Sequence, residues 1–109
     1  MQVERINFLF EQLKIEPEDP FNYYGLAIEY ISDQPHKAME YFEILLIRFP
    51  EYLPTYYHAA NLYFNFEKFE KAKNTYLKGI ELATILKKEK TLKELQGSFS
   101  LFLAETEYE

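Results

Sequence analysis

The stretch YYGLAIEY at 23–30 returns in altered form as YYHAANLY at 56–63. Tyr23, Tyr24, Ala27 and Tyr30 recur as Tyr56, Tyr57, Ala60 and Tyr63, each 33 positions on. Other landmarks keep nearly the same step: Pro17 recurs as Pro50 after 33 residues, Ala38 as Ala72 and Phe42 as Tyr76 after 34. The drift requires a one-residue deletion between Tyr30 and Ala38, in the turn SDQPH. Intervals of about 20–50 residues mark stacked supersecondary units, each too small to bury its apolar face alone.

Each unit holds two helical patterns. Tyr23, Leu26, Ala27 and Tyr30 fall at i, i+3, i+4 and i+7, one face of a helix. Ala38, Tyr41, Phe42, Leu45 and Leu46 form a second face in the same way. Asp19 before Pro20 is a helix start, because Asp caps free N–H groups and Pro fits the first turn. Pro35 and Pro54 open the next two helices, and Phe49-Pro50 closes one. Thr91-Leu92-Lys93-Glu94 has the form of a capping box and sets the start of a last helix. The pattern predicts an all-α chain of about six helices, at 3–14, 20–32, 35–48, 54–65, 68–86 and 91–104, with no strand. Short turns make neighbours antiparallel.

Composition narrows the chemistry. The chain has 109 residues, and its 48% apolar and 28% charged residues describe one globular domain. It has no Cys, which removes disulfides, thiolate catalysis and zinc–thiolate sites together. No apolar run approaches the roughly 18–20 residues of a membrane span. The N-terminus MQVERINFLFEQLK does not read as a signal peptide, so a cytoplasmic location is expected. The net charge is −6, which argues against binding nucleic-acid phosphates. The charge is uneven: residues 1–65 hold four Lys/Arg and ten Asp/Glu, residues 66–94 eight Lys and five Glu. The Lys-rich stretch reads as a solvated helix face.

With these residues in place, the sequence resembles the tetratricopeptide repeat (TPR) family. That family's 34-residue unit wants a large residue, Leu, a small residue and Tyr on its first helix. On its second it wants Ala, an aromatic, a small residue and Pro. The first unit supplies Tyr23, Leu26, Ala27, Tyr30, Ala38, Phe42, Leu45 and Pro50; the second supplies Tyr56, Ala59, Ala60, Tyr63, Ala72, Tyr76 and Gly79. Leu45 departs where a small residue is usual, and Thr84 stands where Pro would close the unit. The resemblance implies a right-handed superhelical stack of antiparallel helix pairs, a TPR-like α-solenoid. It would be a single domain over 1–104, with full repeats at about 20–52 and 53–86. Helix 3–14 would be a half-repeat resembling a second helix, 91–104 a capping helix resembling a first, and 105–109 an acidic tail.

The resemblance also implies a concave groove that holds a peptide. The positions that carry over are Phe21, Tyr24, Ile28, Ile31 and Ser32 in the first unit, and Pro54, Tyr57, His58, Asn61, Phe64 and Asn65 in the second. Lys90 and Lys93 join them if the last helix is shifted by one residue, as the match through Leu92, Leu95 and Phe99 requires. Tyr24, Ile28, Tyr57, His58, Asn61, Asn65, Lys90 and Lys93 are the expected binding residues, while Phe21 and Ile31 are expected to pack. Cochaperones of this family grip chaperone C-terminal carboxylates through Lys, Asn, Asn, Lys and Arg. The matching positions here are Tyr24, Ile28, His58, Lys90 and Glu94, and only Lys90 agrees, so that clamp is not expected.

No catalytic, metal or cofactor site is expected. His36 and His58 lie far apart, the three glycines are isolated within helical patterns, and no nucleophile–base pair is visible. The expected function is a non-catalytic module, an adaptor or an assembly or chaperone-like factor, whose partner is a protein or peptide, with neither nucleic acid nor membrane. The alternative is a self-associating protein whose main contact is a homodimer through apolar end helices. Phe8, Phe10, Phe66, Phe69, Phe99, Phe102 and Leu103 exceed what two end helices need. If that contact runs through the last helix, Phe102→Asp is expected to give a folded monomer.

Overall fold

Six helices make up the regular structure of residues 2–107, the part of the chain described in the computed structural model: α1 (Val3–Ile15), α2 (Pro20–Tyr30), α3 (Pro35–Arg48), α4 (Pro54–Asn65), α5 (Phe69–Ile85) and α6 (Glu89–Thr106). There is no strand among these residues. The starts follow local chemistry. Asp19 caps α2 by accepting the Phe21 N–H at 3.0 Å, and Pro occupies the first turn of α2 and α3.

Helices α4 and α5 end in a way the sequence does not advertise. Glu67 and Lys87 adopt left-handed backbone, with φ of 60° and 58°. Behind them, the Lys68 N–H reaches the Tyr63 carbonyl and the Lys88 N–H the Ala83 carbonyl, both at 2.9 Å. These are Schellman closures, which satisfy the last carbonyls of a helix and reverse the chain at once. The second one launches α6 at Glu89, so Thr91 lies inside the helix and no side chain caps it; the capping box expected at Thr91–Glu94 does not form. The helix also runs on to Thr106, so the expected tail at 105–109 starts inside it, and residues 108 and 109 lie outside the described part.

The chain is organised as two compact units, Met1–Thr55 and Tyr56–Glu109, with the division inside α4. In the first unit, Arg5 pairs with Glu29 at 2.7 Å, and the Leu9 side chain fills the space beside Gly25, which sets α1 antiparallel to α2. Tyr30 stacks on Tyr41 at 6.0 Å near the turn, while Arg48 reaches Tyr23 at the far end, so α2 and α3 are antiparallel too. Arg48 acts as a clasp. Its Nη1 donates to the Tyr23 hydroxyl at 2.8 Å, its Nη2 pairs with Glu18 at 2.9 Å, and the Tyr23 hydroxyl donates to the Pro17 carbonyl at 3.1 Å. The turn between α1 and α2 is thereby tied to the end of α3.

The second unit is built on rings. Phe64, Phe69, Tyr76, Phe99 and Phe102 form a continuous cluster with centroid separations of 5.2–6.4 Å. Tyr76 and Phe102 are fully buried at its centre. Edge-to-face and tilted pairs of this kind add about 0.5–1.5 kcal/mol each beyond the area they bury. Phe102 is therefore core and not a contact surface. An Asp there would be buried without a partner, so Phe102→Asp would unfold the unit and not release a monomer.

Candidate functional site

The expected binding residues fall on three helices. In the first unit, Tyr24 and Ile28 are half-buried on α2. The Tyr24 ring meets Tyr52 edge-on at 5.7 Å, and burial raises the Tyr24 hydroxyl above its ordinary pKa. Tyr52 was not expected at the site; it lies in the turn before α4, where no helical periodicity points to it. Phe21, expected to pack, is instead 51% exposed, while Ile31 is half-buried.

In the second unit, one side of α4 carries Tyr57, His58, Asn61 and Asn65 in that order. The first three are half-buried and Asn65 is exposed. The opposite side of the same helix, with Tyr56, Ala59, Ala60 and Tyr63, is buried. Period 3.6 accounts for this division. His58 stands edge-on to the Tyr57 ring at 5.3 Å. Burial pushes its imidazole below the ordinary value, and the charge of Glu94 on α6 opposes that in part, so the ring is neutral at neutral pH. Asn61 accepts a hydrogen bond at Oδ1 from the hydroxyl of Tyr76 on α5.

Phe102 meets Phe64 at 5.2 Å, and Glu94 is near enough for its charge to act on His58, so α6 runs beside α4 and parallel to it. Asn61, between His58 and Phe64 on α4, is thereby level with the stretch between Glu94 and Phe102 that contains Gly97. A Cβ built on Gly97 would meet nothing within 4 Å. Lys90 and Lys93 are exposed in the first two turns of α6, without an ion-pair partner among the described residues. The second unit thus gathers aromatic area, two amides, a neutral imidazole and two cations. Tyr76 and Glu94 were missing from the expected set as site-shaping residues. The signal for Tyr76 was available: a core Phe of the first repeat, Phe42, is a Tyr in the second, and a buried hydroxyl needs a partner.

Among the described residues there is no cluster of three His, Cys, Asp or Glu able to hold a metal ion, and no helix is long and apolar enough to cross a membrane.

No protein-family model and no curated protein matches the chain. Solved structures do. The solution NMR structure of a tetratricopeptide repeat domain protein from Salinibacter ruber is 36% identical, with a TM-score of 0.78, over 85% of this chain and 95% of that one. A crystal structure of a tetratricopeptide repeat domain protein from the same organism is 38% identical, with a TM-score of 0.76, over 80% of this chain and 98% of that one. Identity of this order over most of this chain and nearly the whole of the matched ones, on the same helical architecture and with the same repeat, has one outcome: this chain belongs to the tetratricopeptide repeat family, a family of protein–protein interaction modules.

Proposed function

We propose that the chain is a non-catalytic module that holds a segment of another protein against the exposed side of α4 and the start of α6. Tyr57, His58, Asn61 and Asn65 supply the central contacts, and Lys90 and Lys93 supply positive charge at one end. Tyr24 and Ile28 are the corresponding positions on α2 of the first unit. The observation that carries this reading is the state of Asn61. Its oxygen is engaged by Tyr76, so the two N–H groups of a half-exposed amide remain for a carbonyl of a bound segment. Aromatic side chains beside it add contact area at little entropic cost.

The test is capture of partners from lysate by wild type and by Tyr57→Ala/Lys93→Glu, with circular dichroism showing equal helix content. Asn61 is left intact, because its loss disturbs the core through Tyr76. A protein retained by wild type and lost by the variant supports the face. Equal capture by both places binding elsewhere.

A further inference from the structure

Helices α1 and α6 each match one half of a repeat, and the first unit shows how such halves join. Aligned through Pro17 and Pro50, α1 corresponds to α3 at a 33-residue offset, which sets buried Ile6 on buried Met39 and buried Leu9 on buried Phe42. Aligned through Leu92, Leu95 and Phe99, α6 corresponds to α2, which sets buried Leu95 on buried Leu26. By this alignment α1 matches the second helix of a repeat, and α6 the first.

The α2–α3 pair supplies the missing geometry. Tyr41 stacks on Tyr30 with the rings 4° from parallel, and the Arg48 guanidinium lies 5.4 Å from the Tyr23 ring centre. The positions on α1 that match Tyr41 and Arg48 are Phe8 and Ile15, which are 59% and 69% exposed. The positions on α6 that match Tyr30 and Tyr23 are Phe99 and Leu92, both only half-covered. We propose that α1 of one copy of this chain docks on α6 of a second copy, Phe8 against Phe99 and Ile15 against Leu92, forming between copies the helix pair that α2 and α3 form within one.

Charge favours the same pairing. In the α2–α3 pair the end of the second helix lies at the start of the first, where Arg48 meets Glu18. In the contact between copies that place brings Glu16, just past α1, to Lys87 and Lys88, just before α6. Glu16 stands at the unfavourable C-terminal end of the α1 dipole, while Lys87 and Lys88 lie between the C-terminus of α5, which favours them, and the N-terminus of α6, which does not. None of the three side chains has a partner among the described residues, so pairing gives each an opposite charge.

The contact is weaker than the internal one. Ala27 and Ala38, fully buried in the α2–α3 pair, are matched by Gln96 and Arg5, and Arg5 is held by Glu29. These longer side chains hold the crossing helices apart. Association is therefore concentration-dependent and, because each copy offers a different surface to each neighbour, heterologous. It uses the Leu92–Phe99 side of α6 and leaves Tyr57, Asn61 and Lys93 free, so it stands apart from the peptide-binding face.

Sedimentation equilibrium of the full chain over a wide concentration range, at low and high salt, tests it. The expected result is a mass that climbs above one chain with concentration and falls with salt. Phe8→Glu, a surface change, should hold the chain as a folded monomer. Gln96→Ala, which restores a small residue at the crossing, should move association to several-fold lower concentration. Glu16→Lys and Lys87→Glu/Lys88→Glu should each weaken it, and an equimolar mixture of those two proteins should regain it. A monomer at every concentration overturns the proposal, as does association that Phe8→Glu leaves unchanged or that the mixture fails to recover.

Discussion

The hydroxyl of Tyr76 donates to Oδ1 of Asn61, so a fully buried core residue sets the orientation of an amide on the candidate face. The two ends of this bond differ in what they lose. Asn61→Ala strands a buried hydroxyl and should cost about 1–3 kcal/mol; Tyr76→Phe leaves a half-exposed amide that can turn to water and should cost about 0.5–1.5 kcal/mol. The double variant should cost less than the sum, because the second change removes an already broken bond. Urea denaturation of the four proteins checks this, and strictly additive costs would show that the bond contributes nothing.

The same hydroxyl makes stability depend on alkaline pH. Burial, helped by Tyr57, pushes Tyr76 up to about 12 from an ordinary 10.0. Between those values the folded chain keeps a proton that the unfolded chain has lost. Stability from this group is therefore complete below the unfolded value and is lost as pH rises toward the folded one. Tyr24, Tyr41 and Tyr52 are raised as well, so some loss persists in any single variant. Midpoints of thermal unfolding across that window should fall less steeply for Tyr76→Phe than for wild type.

Two helical glycines should respond in opposite directions to one methyl group. A Cβ on Gly79 would lie 2.7 Å from Cβ of Tyr56, an overlap that forces α5 away from α4. Gly79→Ala should then destabilise by about 1–3 kcal/mol, the usual range for overpacking. Gly97 has nothing within 4 Å, so Gly97→Ala removes only the backbone freedom of a glycine inside α6 and should stabilise by about 1 kcal/mol. Denaturation midpoints of the two variants settle the contrast.

That contrast also shows where the sequence stops. Gly79 and Gly97 look alike as letters, and only the approach of Tyr56 separates them. What was legible was whatever the repeat writes twice: the helices, their antiparallel order, and the buried Tyr23, Ala27 and Tyr30 with their counterparts. The side of α4 that holds Tyr57, Asn61 and Asn65 followed from the same period. Phe102 lies beyond both copies, so nothing in the repeat fixed its direction, and a surplus of phenylalanines read as a surface became the centre of a ring cluster. The capping box failed because a left-handed Lys87 leaves no mark in composition. Tyr52 and Glu94, which shape the surroundings of Tyr24 and His58, act through space from positions the period does not describe.

The left-handed residues are themselves a test. A side chain at positive φ crowds its own carbonyl and costs about 1–2 kcal/mol, which glycine escapes at some expense in unfolded-chain entropy. Glu67 and Lys87 hold φ of 60° and 58° in the two Schellman closures. Glu67→Gly and Lys87→Gly should each raise stability by a net of about 0.5–1 kcal/mol. The same substitution at Lys73, inside α5, should lower it by a similar amount, which controls for a general effect of glycine. If all three variants lose stability alike, the turns are held in this form by something other than backbone preference.

Thr55, in the first turn of α4, is fully buried, and its Oγ1 has no hydrogen-bond partner among the described residues. Its backbone is accounted for, because the N–H donates to the Tyr52 carbonyl at 3.3 Å. The hydroxyl is thus a polar atom taken from water with nothing in return, a state that costs about 1–3 kcal/mol. Valine has the same branched shape without the hydroxyl and keeps the packing. Thr55→Val should raise stability, measured by denaturation, by roughly 1 kcal/mol, the low end of that range. Thr55→Ser keeps the hydroxyl, gives up the methyl group and should fall below wild type. If valine instead lowers stability while serine preserves it, the hydroxyl is bonded in solution, and α4 starts from a polar anchor instead of a buried mismatch.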